Sequence, residues 1–115
     1  MFTTDEWLPI GSVVHVKDAN RLLMIAGTMQ VDQETGLLWD YMGYPFPEGN
    51  MKPDQDVMFD KDGIDGVYFI GYQSTEGLDY LQFLKKNEPE YRKAKEQAVG
   101  GAGGAGSAKG TDSAE

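Results

Sequence analysis

The residues with the most obvious chemical potential are carboxylates: Asp54, Asp56, Asp60, Asp62 and Asp65 crowd one short stretch. A carboxyl that acts as a general acid needs a desolvated cleft that raises its pKa. Acids in a glycine-rich stretch are expected to be hydrated instead. The run "DKDGIDG" from Asp60 to Gly66 invites comparison with a calcium loop. An EF-hand loop wants Asp or Asn at its fifth position, Gly at its sixth and an acid at its twelfth. Counted from Asp60, those positions hold Ile64, Asp65 and Gly71. The template fails, and a turn with local side-chain caps is the expected reading, with at most one helical turn from Asp60.

His15 is the single histidine, in a β-branched run with no Ser, Asp or Cys motif beside it. It is expected to be a structural or exposed strand residue. There is no cysteine, so disulfides, thiol chemistry and nitrogen–sulfur metal sites are excluded. No phosphate-cradling glycine motif and no nucleophile elbow occurs. No catalytic residue, no cofactor, no metal ligand and no small-molecule substrate is therefore expected, and the chain reads as a protein that is not an enzyme.

Charge narrows the partners. The net charge is −9, from 19 acids and 10 bases, and the excess persists without Lys109, Asp112 and Glu115 of the tail. Such a surface repels phosphate backbones and anionic lipid, so no nucleic acid and no membrane partner is expected. No run approaches the length of a membrane span, and "MFTTDEWLPIG" lacks the pattern of a signal peptide. The expected location is the cytoplasm. What remains is contact with another protein. Trp39, Tyr41, Tyr44 and Phe46 in "DYMGYPFPEGN" are the candidate contact residues. Pro45 stiffens the backbone between Tyr44 and Phe46 and lowers the entropy cost of presenting them. The alternative is that these two rings seal the bottom of the domain's own core.

The elements that must position these residues are mostly strands. "SVVHVK" (12–17) and "RLLMIAGTMQV" (21–31) read as a hairpin across Asp18, Ala19 and Asn20, with a bend at Gly27. Gly36 is free to turn the chain into a third strand over 37–44. Leu37, Trp39 and Tyr41 share one face of it; Leu38, Asp40, Met42 and Tyr44 share the other. Pairing is expected to end near Pro45 and Pro47. "VMF" (57–59) and "VYFIGY" (67–72) supply further strands. Ser74 or Thr75 can cap a helix whose stripe is Leu78, Leu81 and Leu84, with Tyr80 and Phe83 beside it, through Lys86. Asn87 can cap a second helical piece with Glu88 and Pro89 in its first turn, and the charged "EYRKAKEQ" reads as either a solvated helix end or an extension, so the spacing leaves open whether 87–98 continue the helix. The fold class is α+β: a small curled antiparallel sheet or partly open barrel of four or five strands, then a C-terminal helix. Residues 1–98 form one domain; 99–115, rich in Gly and Ala, are expected to be a disordered tail.

Taken in order, "LPIGSVV", "RLLMIAG", "DYMGYPFPEGN", "MFDKDGIDGVYFIGY" and "EGLDYLQFL" resemble the domain-of-unknown-function family 4176, over about residues 7 to 86. The resemblance implies small proteins of Gram-positive bacteria encoded beside type VII secretion components of the WXG100 and LXG type. It implies a cytoplasmic adaptor or chaperone for an LXG toxin or secretion component, and it carries no catalytic motif. An acidic immunity protein that neutralises a toxin domain is the alternative. Type VII export signals have a Tyr-x-x-x-Asp/Glu form, which "YQSTE" (72–76) matches. A match is expected by chance in a chain with this many tyrosines and acids, so it is read as coincidence.

Overall fold

The computed structural model describes residues 6–52 and 56–98. The expected tail at 99–115 and the candidate Asp54 lie outside the described residues. Five strands, β1 (Val13–Val16), β2 (Leu22–Val31), β3 (Leu38–Phe46), β4 (Val57–Phe59) and β5 (Ile64–Phe69), precede one helix, α1 (Thr75–Ala98). The strands form an open antiparallel sheet in the order β4-β3-β2-β1-β5. The α+β class holds, and the open sheet is the form adopted.

Local chemistry explains the connections. Asp18 takes φ 67° in the β1–β2 turn, a left-handed conformation that Asp tolerates better than most residues. Gly36 takes φ 76°, and its N–H donates to the Asp32 carbonyl at 2.7 Å, which closes the β2–β3 turn. The bend expected at Gly27 is a bulge: Ile25 faces Gly43 and Gly27 faces Met42, so Ala26 is the extra residue. β3 continues through Phe46, past the expected limit. Pro45 fits because β4 stops pairing at Gly43, so no ladder bond is asked of its nitrogen on that side. A 3-10 turn at Lys61–Gly63 realises the helical turn expected after Asp60.

One strand boundary differs from expectation. The strand read at 67–72 lies at Ile64–Phe69. Gly71 leaves the ladder because its N–H donates to the buried Ser12 Oγ at 3.0 Å, and a Cβ there would come within 2.9 Å of Ser12 N. Of the two readings open for 87–98, the extension is the one formed: α1 runs unbroken from Thr75 to Ala98 with Pro89 inside it. The start is as expected, with Ser74 Oγ accepting the Gly77 N–H at 2.9 Å. Beyond Lys86 the helix persists because tertiary partners hold it, as described below; Asn87 Nδ2 donates back to the Phe83 carbonyl at 2.8 Å.

The core lies between α1 and one face of the sheet. Val14, Val16, Leu23, Ile25, Tyr41, Phe59 and Ile64 meet Leu81, Leu84 and Tyr91 from the helix, and Trp7 and Leu8 from the leading segment. Each such side chain contributes about 2 kcal/mol by leaving water. Tyr41 is the centre. Its ring lies 5.5 Å from Trp7 and 5.6 Å from Phe59, and its oxygen accepts the Leu8 N–H at 2.8 Å.

Candidate interaction surface

Alternation along the strands leaves a second apolar face that α1 does not cover. In register across the sheet, Phe69 of β5 faces Val13, Val13 faces Met24, and Met24 faces Tyr44. A neighbouring row pairs Leu22 with Phe46, and Met42 with Met58 extends the face to β4. Tyr68 joins this side because the β1–β5 register slips between Val13 and Val14. An open groove of 380 Å³ runs here, lined by Val13, Leu22, Met24, Phe46, Tyr68 and Phe69. Tyr68 and Phe69 are 68% and 59% exposed. Methionines among aromatics make a surface that adapts to varied apolar partners.

The four candidate contact residues separate. Tyr41 sits in the core, and Trp39 is buried outside the main core cluster with Lys95 of α1 5.5 Å from its ring. Tyr44 and Phe46 lie on the open face; Phe46 is 42% exposed and lines the groove. The backbone alternation placed Tyr41 and Tyr44 on opposite faces, but only α1 decides which face becomes core. Val13, Leu22, Met24 and Phe69 were not singled out from sequence, although the registers that place them beside Phe46 follow from the same alternation.

Where the second half of α1 meets β3 and the end of β4 sits a cluster of buried charge. Alternation puts Asp40 on the face of β3 opposite Tyr41, and Asp60 is expected to be hydrated; each is only 2% exposed. The reason is α1, whose C-terminal half passes over this part of the sheet. The Asp40 backbone N–H donates to Asp60 Oδ1, and the Lys61 N–H donates to Asp40 Oδ2, both at 2.9 Å. From the helix, Tyr91 Oη donates to Asp40 Oδ1 at 2.9 Å and Arg92 Nη1 at 2.8 Å, while Lys95 Nζ reaches Asp60 Oδ1 at 2.9 Å. Glu88 accepts from Trp7 Nε1 at 3.0 Å and from Arg92, and it faces Lys61 at 3.5 Å.

The electrostatics follow burial first. Desolvation pushes the Asp60 carboxyl above its ordinary value even though Lys95 pulls the other way. It likewise lowers the Lys61 ammonium, against the pull of Glu88. For Glu88, burial alone would push the carboxyl up, but the bonds from Trp7 and Arg92 and the charge of Lys61 outweigh it and hold it low. Desolvation and the neighbouring Asp40 raise the Tyr91 phenol, so it stays a donor. Carboxylates matched in this way to cations and hydrogen donors, with Tyr91, Arg92 and Lys95 supplied by the helix, form a clasp that fixes α1 to β3 and the end of β4.

His15 lies on the open face, where Nδ1 meets Asp65 Oδ1 at 2.6 Å, and that bond raises its pKa. Among the described residues no group of three or more His, Asp or Glu is arranged to hold a metal ion, and no helix is long and apolar enough to cross a membrane.

No curated protein and no solved structure matches the chain. A family model described as Domain of unknown function (DUF4176) matches residues 7–79, which takes in all five strands, both faces of the sheet and the first turn of α1. With its greater part so matched, the chain belongs to that family.

Proposed function

We propose that this protein acts by contact with another protein, as a cytoplasmic adaptor or chaperone for an LXG-type toxin of a type VII secretion system. The observation that carries the contact reading is the apolar face of β1, β2, β3 and β5, which no helix or strand among the described residues covers, with its groove between Phe46 and Phe69. A single-layer sheet with one face packed by a helix normally leaves polar residues on the other. Here that other face carries Met24, Met42, Tyr44, Phe46 and Phe69, a composition suited to shielding an apolar segment of a client. The toxin and the secretion system come from the family resemblance.

The test is co-expression with an LXG protein encoded beside the gene. A complex is expected to co-purify, and Met24→Glu is expected to abolish it while leaving the unfolding midpoint unchanged. Failure to co-purify with any neighbouring LXG protein overturns the reading. A toxicity assay in the same strain separates the adaptor from an immunity protein, since only the latter protects cells from the toxin's catalytic domain.

A further inference from the structure

We infer that the outer edge of β5 is a strand-addition site for an extended, apolar segment flanked by basic residues on a partner protein. The inference rests on the contact reading above and names the chemistry of the partner segment.

Three observations converge on this edge. First, β5 is the last strand of the sheet, and among the described residues no strand lies beyond it. Its outward N–H and C=O groups form a template for one more strand. The other edge differs in length: β4 has only three residues. Edges are commonly blunted by shortness, lysine or proline. β5 has six residues, "IDGVYF", with neither lysine nor proline.

Second, the groove is continuous with the edge. Tyr68 and Phe69 belong to β5 and also line the groove with Val13, Met24 and Phe46. A strand added alongside β5 presents alternate side chains to the open face, where this groove can receive them.

Third, the charged side chains within β5 and from there up to Lys85 are all acidic. Between Lys61 and Lys85 the chain carries Asp62, Asp65, Glu76 and Asp79 and no Lys, Arg or His. Asp62, Glu76 and Asp79 are exposed, and Asp65 is shared with His15 of the neighbouring strand. Two cations stand near the start of β5: Lys61, buried in the preceding turn and facing Glu88, and exposed Lys17, whose N–H bonds the Gly63 carbonyl. Exposed acids therefore precede and follow β5 in sequence, and Asp65 lies within it. A second copy of the chain would set one acidic edge against another, at a cost. A segment with lysine or arginine at its ends is matched instead.

The probe is a synthetic peptide alternating valine and threonine, with lysines at both ends; its counterpart carries glutamates in their place. Binding to the full chain is followed by amide hydrogen exchange and titration at low salt. The lysine-ended peptide is expected to protect the outward amides of β5 and to bind about tenfold tighter than the glutamate-ended one. Phe69→Lys, which places a cation on the edge, is expected to weaken it about tenfold while the unfolding midpoint stays put. Equal binding of both peptides, protection confined to α1 or β4, no protection, or a dimer paired through β5 would overturn the inference. Peptide binding at β5 without co-purification of a toxin sinks only the adaptor reading. A toxin complex whose β5 amides exchange as in the free chain sinks only the edge site.

Discussion

The two faces of the sheet are built from similar residues and differ in what lies on them. On the covered face, Tyr41 and Phe59 are fully buried beneath Trp7, Leu84 and Tyr91. On the open face, Phe46, Tyr68 and Phe69 occupy strands of the same sheet with about half or more of their surface in water. Composition alone does not separate core from contact surface in this chain; the path of one helix does. Stability therefore resides on one side and the capacity for recognition on the other.

That contrast can be broken by substituting rings on either side. Tyr41→Ala is expected to have the largest effect, about 3–5 kcal/mol, because it opens a cavity among Trp7, Leu8 and Phe59. Phe69→Ser on the open face is expected to cost about 0.5 kcal/mol or less. Urea unfolding of the two variants measures both, and comparable losses would mean that the open face is packed in solution.

The clasp sharpens the comparison, because it fixes which face the helix takes. Asp40→Ala strands the Tyr91 hydroxyl and one side of Arg92. It is expected to cost about 2 kcal/mol, below the full value for a buried pair because Arg92 keeps contact with water. Hydrogen exchange should show residues 88–98 loosening before the sheet does. Next is Gly71→Ala, expected to cost about 1–2 kcal/mol, since the new methyl would press on the backbone of Ile10 and Ser12.

The smallest effect belongs to the open face and depends on pH. The bond to Asp65 raises the His15 pKa above 6.5 in the folded state. The folded protein therefore binds this proton more tightly than the unfolded chain. The resulting stability is fully present below pH 6.5 and fades as pH rises through the folded value. Both partners are substantially exposed, so the change should stay within a few tenths of a kcal/mol. His15→Gln should flatten this part of the pH–stability curve, and an unaltered slope would assign it to other groups.

Much of the sheet was legible because strand signals are local. β-branched runs, the Asp18 turn, Gly36 and the bend at Gly27 each act within a few residues. The displaced end of β5 was not legible, because it depends on Ser12, far away in the chain. The burial of Asp40 and Asp60 was hidden for the same reason: their partners Tyr91, Arg92 and Lys95 arrive from the last turns of α1. A signal was present there. Leu81, Leu84, Glu88, Tyr91 and Lys95 recur at intervals of three and four, which continues one helical stripe into the charged segment. Read by composition, "EYRKAKEQ" looked solvated; read by spacing, its Tyr91 and Lys95 belong to the inward side. For the contact residues, alternation separated Tyr41 from Tyr44 and stopped there.

The family match stops at residue 79, whereas α1 continues to Ala98. Cutting the chain at that boundary would take away Leu81, Leu84, Tyr91, Arg92 and Lys95 together. Two acidic groups would then lose their counter-ions, and the Trp7–Tyr41 cluster would be laid bare beside a face that is already greasy. The shortened polypeptide would be sticky on both sides, so the minimal foldable unit extends some nineteen residues past the homologous segment.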